Sequence, residues 1–298
     1  MYHQLILSGQ LNMMFYVYIP EAWSPDDCTM DFDVSGDISQ NAQGQKYAET
    51  ITLDGVTFYG WQCCVNSVQM ADEIHAALHY GSGQTLTHSY TVKEYLDLHV
   101  NDESLPDDTR ELARSIEDLG GYVQPVLAAE NSWTVGEKHA KMDPAYDFKD
   151  TDFNTVSNDT ASDAISYTIP DGSGIAKVNY TLLLDAATTI EVCLTPKSDY
   201  TGAVSVYVDG GTEDMAESDG GVYVVRISDI PAHKLAKKHT LTVVTGDVSF
   251  DVEVSALSYV HAGIRRDDDN LRRAATAIYR YWDANMTYRQ NRPDEYHD

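Results

Sequence analysis

Polar and apolar positions alternate in several stretches of the chain, and in others apolar residues return every three or four positions. Strands and helices therefore separate by period. Met30, Phe32 and Val34 alternate with Asp31 and Asp33, which predicts a strand with one face inward and its aspartates in water. Val204, Val206 and Val208 repeat the pattern and run into an Asp209-Gly210-Gly211 turn. Ile74 to Tyr80, the turn Gly81-Ser82-Gly83 and Thr85 to Tyr90 read as a hairpin, and so do Lys238 to Thr245, Gly246-Asp247 and Ser249 to Val254. Short strands with a turn signal every 8–12 residues or so predict an Ig-like antiparallel sandwich.

Each strand region gives way to a helical period. Val92, Tyr95, Leu96 and His99 share one helix face, and Leu112, Ile116, Leu119 and Val123 form a second stripe. Pro106-Asp107-Asp108 is a helix start, and Pro125 is expected to kink or end that helix. Further on, Asp267 to Asn270 start a helix lined by Leu271, Ala274, Ile278 and Tyr281.

The order of these elements repeats. Ile74, Ala76 and Leu78 fall on His239, Leu241 and Val243, and Leu86, His88 and Tyr90 fall on Phe250, Val252 and Val254. Upstream, Met14 to Pro20 falls on Ile190 to Pro196. The fold class expected is mainly β with α (α+β): two tandem Ig-like β-sandwich modules, each followed by a helical hairpin. Module 1 spans 1–131, with its sandwich at 1–91 and helical pair at 92–131. An acidic linker covers 132–165. Module 2 spans 166–298, with its sandwich at 166–255 and helical pair at 256–292. In the connecting stretch, Trp133, Tyr146, Phe148 and Phe153 argue that part of it lies against a domain.

Charge narrows the function classes. Acidic residues number 47 against 20 basic ones, for a net charge of -27, which excludes a nucleic-acid binder held by phosphate contacts. The longest uncharged apolar run, Met13 to Ile19, is far shorter than the roughly 20 residues of a membrane helix, so no membrane insertion is expected. Met1 to Gln4 run straight into a strand pattern, so an export signal is expected to have been removed. Cys63 and Cys64 are strand neighbours facing opposite sides. A disulfide from Cys28 to Cys63 or Cys64 stands beside the alternative of small buried thiols.

Taken with their order, four phrases resemble a known group: Asn12 to Pro20, Cys63-Cys64-Val65 to Met70, Tyr90-Thr91-Val92 to Tyr95, and Leu112 to Gln124. Ser255 to Val260 and Ala277 to Tyr281 echo them in the second half. The chain resembles poorly characterised modules of large secreted and cell-wall proteins of gut clostridia and relatives. The resemblance implies an extracellular, multidomain, non-enzymatic context and supplies no catalytic residues.

Candidate chemistry is sparse. No nucleophile elbow, phosphate loop or dinucleotide fingerprint occurs, and no catalytic or cofactor-binding residue is assigned. Asp31, Asp33 and Asp37 match the first half of a calcium loop, but Ala42 stands where a bidentate Glu is needed, which makes calcium the weaker reading beside a plain strand. His75 and His79 are four apart on a strand, about 13 Å, too far for one ion. His88 reads as a core histidine bonded to a tyrosine hydroxyl or a backbone carbonyl. Tyr279, Tyr281, Trp282 and Tyr288 carry more aromatic area than one helix stripe hides, which marks an interface. The expected function is non-catalytic binding or adhesion to a host protein, such as a glycoprotein or immunoglobulin, or to a glycan. The alternatives are a structural spacer displaying other domains, and an enzyme with an unrecognised site.

Overall fold

The strands among the described residues pair antiparallel, and helices follow the last strand of each half. The computed structural model describes all residues except 8, 82, 160–162, 185–186, 213–215, 218–220 and 296–298. Among the described residues there are four antiparallel sheets and five α-helices. Contacts divide the chain into two compact units, Met1–Asp147 with Thr287–Asp298, and Phe148–Met286.

The first unit holds β1 (Tyr2–Leu7), β2 (Leu11–Tyr18), β3 (Thr29–Val34), β4 (Glu49–Leu53), β5 (Val56–Val65), β6 (Ile74–Tyr80) and β7 (Gln84–Tyr90), then α1 (Val92–Asn101) and α2 (Asp107–Asn131). One sheet runs β1-β2-β5-β4 and the other β3-β6-β7. The alternation seen in β3 sends Met30, Phe32 and Val34 inward, each at most 2% exposed. Phe15 of β2 meets Phe32 with ring centroids 5.2 Å apart, and Trp61 of β5 is fully enclosed, its Nε1 donating to the Gln45 carbonyl at 3.1 Å.

The second unit holds α3 (Asp150–Asn158), β8 (Ser166–Tyr167), β9 (Ile175–Leu184), β10 (Thr188–Pro196), β11 (Val204–Val208), β12 (Gly211–Thr212), β13 (Ala216–Glu217), β14 (Tyr223–Ile227), β15 (His239–Thr245), β16 (Val248–Val254), α4 (Ala256–Gly263) and most of α5 (Asp269–Gln290). Its sheets run β13-β14-β10-β9 and β12-β11-β15-β16-β8. Taking β9, β10, β14 and β13 for β1, β2, β5 and β4, and β11, β15 and β16 for β3, β6 and β7, the strand order is that of the first unit. The register agrees as well: Ile74 faces Tyr90, and His239 faces Val254.

Two expectations change. Matching Met14 to Pro20 with Ile190 to Pro196 puts inward Phe15 on Glu191, which pairs with Arg226 at 2.7 Å while its neighbour Val192 is fully buried. The faces agree only after a shift of one residue, since a strand's period is two. Pro125 does not end its helix, for α2 continues to Asn131 and closes at Ser132 in the left-handed region. Part of the connecting stretch lies against the first unit, at residues 139–142. Gln124 on α2 donates to the Ala140 carbonyl at 2.9 Å and accepts from the Met142 amide at 2.9 Å. Asp72 accepts the Ala140 amide at 2.6 Å and meets His139 at 2.7 Å. Beyond residue 147, Phe153 and Val156 of α3 are buried, and Arg272 lies 4.3 Å over the Phe153 ring.

A candidate binding face on the first sheet

Successive residues of a strand point to opposite faces, so the registers of β1, β2, β5 and β4 determine what the first sheet presents outward. Tyr2 pairs with Tyr16, Tyr16 with Gly60, Tyr18 with Phe58, Phe58 with Ile51, and Val56 with Leu53, so all of these share the face turned away from Phe15. At its centre Tyr16 is only 1% exposed. Gly60 makes room for it, because a Cβ there would stand 2.6 Å from the Tyr16 ring. The Tyr16 hydroxyl donates to the Glu49 carboxylate and lies 3.2 Å from Gln4 Oε1. Burial and then the Glu49 carboxylate push this phenol well above its ordinary range.

Exposed Gln4 and Glu49 lie beside that floor on the same face, and the rest of the face is apolar and open. Tyr2 and Tyr18 are each 50% exposed, Leu53 39% and Val56 40%, with Ile51 and Phe58 half-buried between them. The Tyr2 and Phe58 rings meet edge to face at 4.9 Å, and Tyr18 and Phe58 at 6.3 Å. These side chains form an exposed apolar cluster on a strongly acidic chain. These residues are not evident in the sequence. The run Met13 to Ile19 is apolar on both faces, so no period separates outward Tyr16 and Tyr18 from inward Phe15 and Val17.

The residues singled out from the sequence lie elsewhere. Asp31 accepts the Gly44 amide and meets His79 at 2.8 Å; Asp33 accepts the Gly36 amide; Asp37 accepts the Ser39 amide at 2.9 Å and its hydroxyl at 2.6 Å. The three carboxylates serve separate turns. Among the described residues, no group of three or more His, Cys, Asp or Glu side chains is placed to hold a metal ion. His75 and His79 keep separate partners, Ser89 at 2.8 Å and Asp31. His88 has neither of the bonds expected of it. It stacks on His3 at 5.2 Å, and its Nε2 is enclosed without a hydrogen bond. All four cysteines are free, and burial pushes the Cys63 thiol far up.

On α5 the four aromatic residues do not form one exposed patch. Tyr279 is buried, donates to Asp159 at 2.6 Å and sits 5.4 Å from the Trp282 ring. Trp282 is half-buried with its Nε1 enclosed, and burial raises the Tyr281 phenol. Tyr288 lies under the Arg292 guanidinium at 3.8 Å.

No family model, curated protein or solved structure matches this chain. No helix among the described residues is long and apolar enough to cross a membrane.

Proposed function

We propose that the chain is a non-catalytic binding or adhesion module of an extracellular bacterial protein, built as two tandem Ig-like sandwiches each closed by a helical pair. The observation that carries the binding role is the open aromatic face of Tyr2, Tyr18 and Phe58, flanked by Ile51, Leu53 and Val56. Tyrosines supply apolar area with a polar tip at low entropic cost, which suits recognition of a host glycoprotein or its glycans. The tandem reading is supported by the shared strand order and by the helix starts. Thr91 and Ser255 each cap the helix that follows the last strand of their unit in a reciprocal capping box.

The test is a glycan array together with a pull-down of host glycoproteins and immunoglobulins, run on the wild type and on Tyr18→Ala. Retention of a ligand by the wild type and a loss of about 10-fold or more in the variant are expected, as for an exposed aromatic anchor. Equal binding by both proteins would remove this face from the account. No binding by either would favour a spacer that displays other domains.

A further inference from the structure

The two units differ at one sheet edge, and the difference points to an occupant. In the second unit β16 is covered: β8 pairs antiparallel along it, Tyr167 facing Val252 and Ser166 facing Glu253. The inward side chains of β16 are accordingly shut away, Phe250 at 8% exposure, Val252 at 0% and Val254 at 1%. In the first unit β7 holds the same place in the same strand order, and it is the last strand of its sheet. Gln84 to Thr87 and Ser89 are exposed, and Leu86, at the position of Phe250, is 48% exposed. Among the described residues, β7 has a strand partner on only one side, β6.

Open edges are ordinarily protected by charges, prolines or bulges. The sequence Gln-Thr-Leu-Thr-His-Ser-Tyr of β7 contains no Asp, Glu, Lys or Arg and no proline. The opposite edge of the same sheet is bridged at one point, where Met30 and Gln45 exchange two backbone bonds of 2.9 and 3.0 Å. A second observation lies on β7 itself. His88, at the position of Val252, has its Nε2 enclosed and unbonded, and so does His3, whose ring stacks against both His88 and Tyr90. Buried polar atoms of this kind ordinarily have partners.

We propose that β7 is a strand-addition site that takes an extended, uncharged polypeptide segment bearing an aromatic residue, laid antiparallel with that residue opposite His88. The backbone of the added strand supplies affinity through the free edge, and its aromatic side chain covers the ground that Tyr167 covers in the second unit. This site is separate from the outward face of the first sheet, and it stands or falls independently of the binding role assigned there.

The probe is a synthetic peptide of residues 164–170 with blocked ends, which carries no charge, titrated into the ¹⁵N-labelled full chain. The amide signals of Gln84–Tyr90 are expected to shift and to exchange at least about 10-fold more slowly. The same peptide N-methylated at its Ser166 and Tyr167 amides keeps its side chains but loses edge donors, and should bind at least about 10-fold more weakly. Three results would overturn the proposal: equal binding of the methylated peptide, shifts confined to Val248–Val254, or shifts of Gln84–Tyr90 that grow with protein concentration before any peptide is added. The last would make a second copy the occupant.

Discussion

Glu117 is 7% exposed on α2, close to Asp97 of α1 and to Asp118, with Lys93 paired to Asp97 at 2.7 Å. Burial and then the Asp97 charge push its carboxyl up to about 7. The folded state therefore holds a proton there that the unfolded chain releases near pH 4.3, and stability falls as pH rises through that window. His3 works in the opposite sense. Burial, then His88, hold its imidazole down to about 4, so the stability it contributes is lost as pH falls below roughly 6.5. The two slopes oppose each other over the mildly acidic range. Denaturant midpoints measured from pH 4 to 8 should show Glu117→Gln gaining on the order of 2 kcal/mol at pH 8, with stability then rising with pH. A variant whose profile matches the wild type would show that Glu117 is ionised in the folded protein.

The elements show where sequence patterns suffice and where they stop. Consecutive glycines Gly120 and Gly121 break the propensity of α2, and the structure gives their reason: a Cβ on Gly121 would lie 2.6 Å from the Pro144 nitrogen, and one on Gly120 2.9 Å from Met70 Sδ. The segment after α2 runs back across the glycine pair, held by Tyr146 N–H to Asp118 at 2.8 Å and by the Tyr122 hydroxyl to the Tyr146 carbonyl at 2.6 Å. Gly121→Ala should cost about 2 kcal/mol in urea unfolding, because backbone has to move. Thr91→Ala should cost about 1 kcal/mol through its cap; an unchanged midpoint would mean the Glu94 amide finds another acceptor. The strands β3, β6, β7, β15 and β16 were legible because polar and apolar residues alternate or a turn separates two runs. The course of 132–147 was not, since the polar groups that fix it, Asp72, Asp118 and Gln124, are distant in sequence and signal only after folding. The open edge of β7 was equally hidden, because Leu86, His88 and Tyr90 read as inward residues whether or not another strand covers them.

At the scale of the molecule, charge and connectivity set the terms. A net charge of -27 makes self-repulsion a standing cost, so the melting temperature should rise between 10 and 150 mM NaCl as the Debye length falls from about 30 to 8 Å. One pair should resist that screening. Arg292 meets Asp108 at 3.0 and 3.1 Å with both side chains mostly buried, and its guanidinium holds the Asp108 carboxyl down to about 2. Arg292→Ala leaves that carboxylate enclosed and should lower stability by on the order of 3 kcal/mol at pH 7. The difference should shrink as pH falls toward 2, where the wild type loses the pair as well.

Arg292 and Asp108 are 184 positions apart, yet both belong to the first compact unit. On a ribosome adding about 5–20 residues per second, roughly 10–40 s separate the synthesis of the two. Throughout that interval the start of α2 waits without its Arg292 partner while the whole of Phe148–Met286 is made. The first unit to be translated is thus the last to be completed, and a nascent chain halted before Arg292 should be cut by protease within Met1–Asp147 more readily than one released just after it.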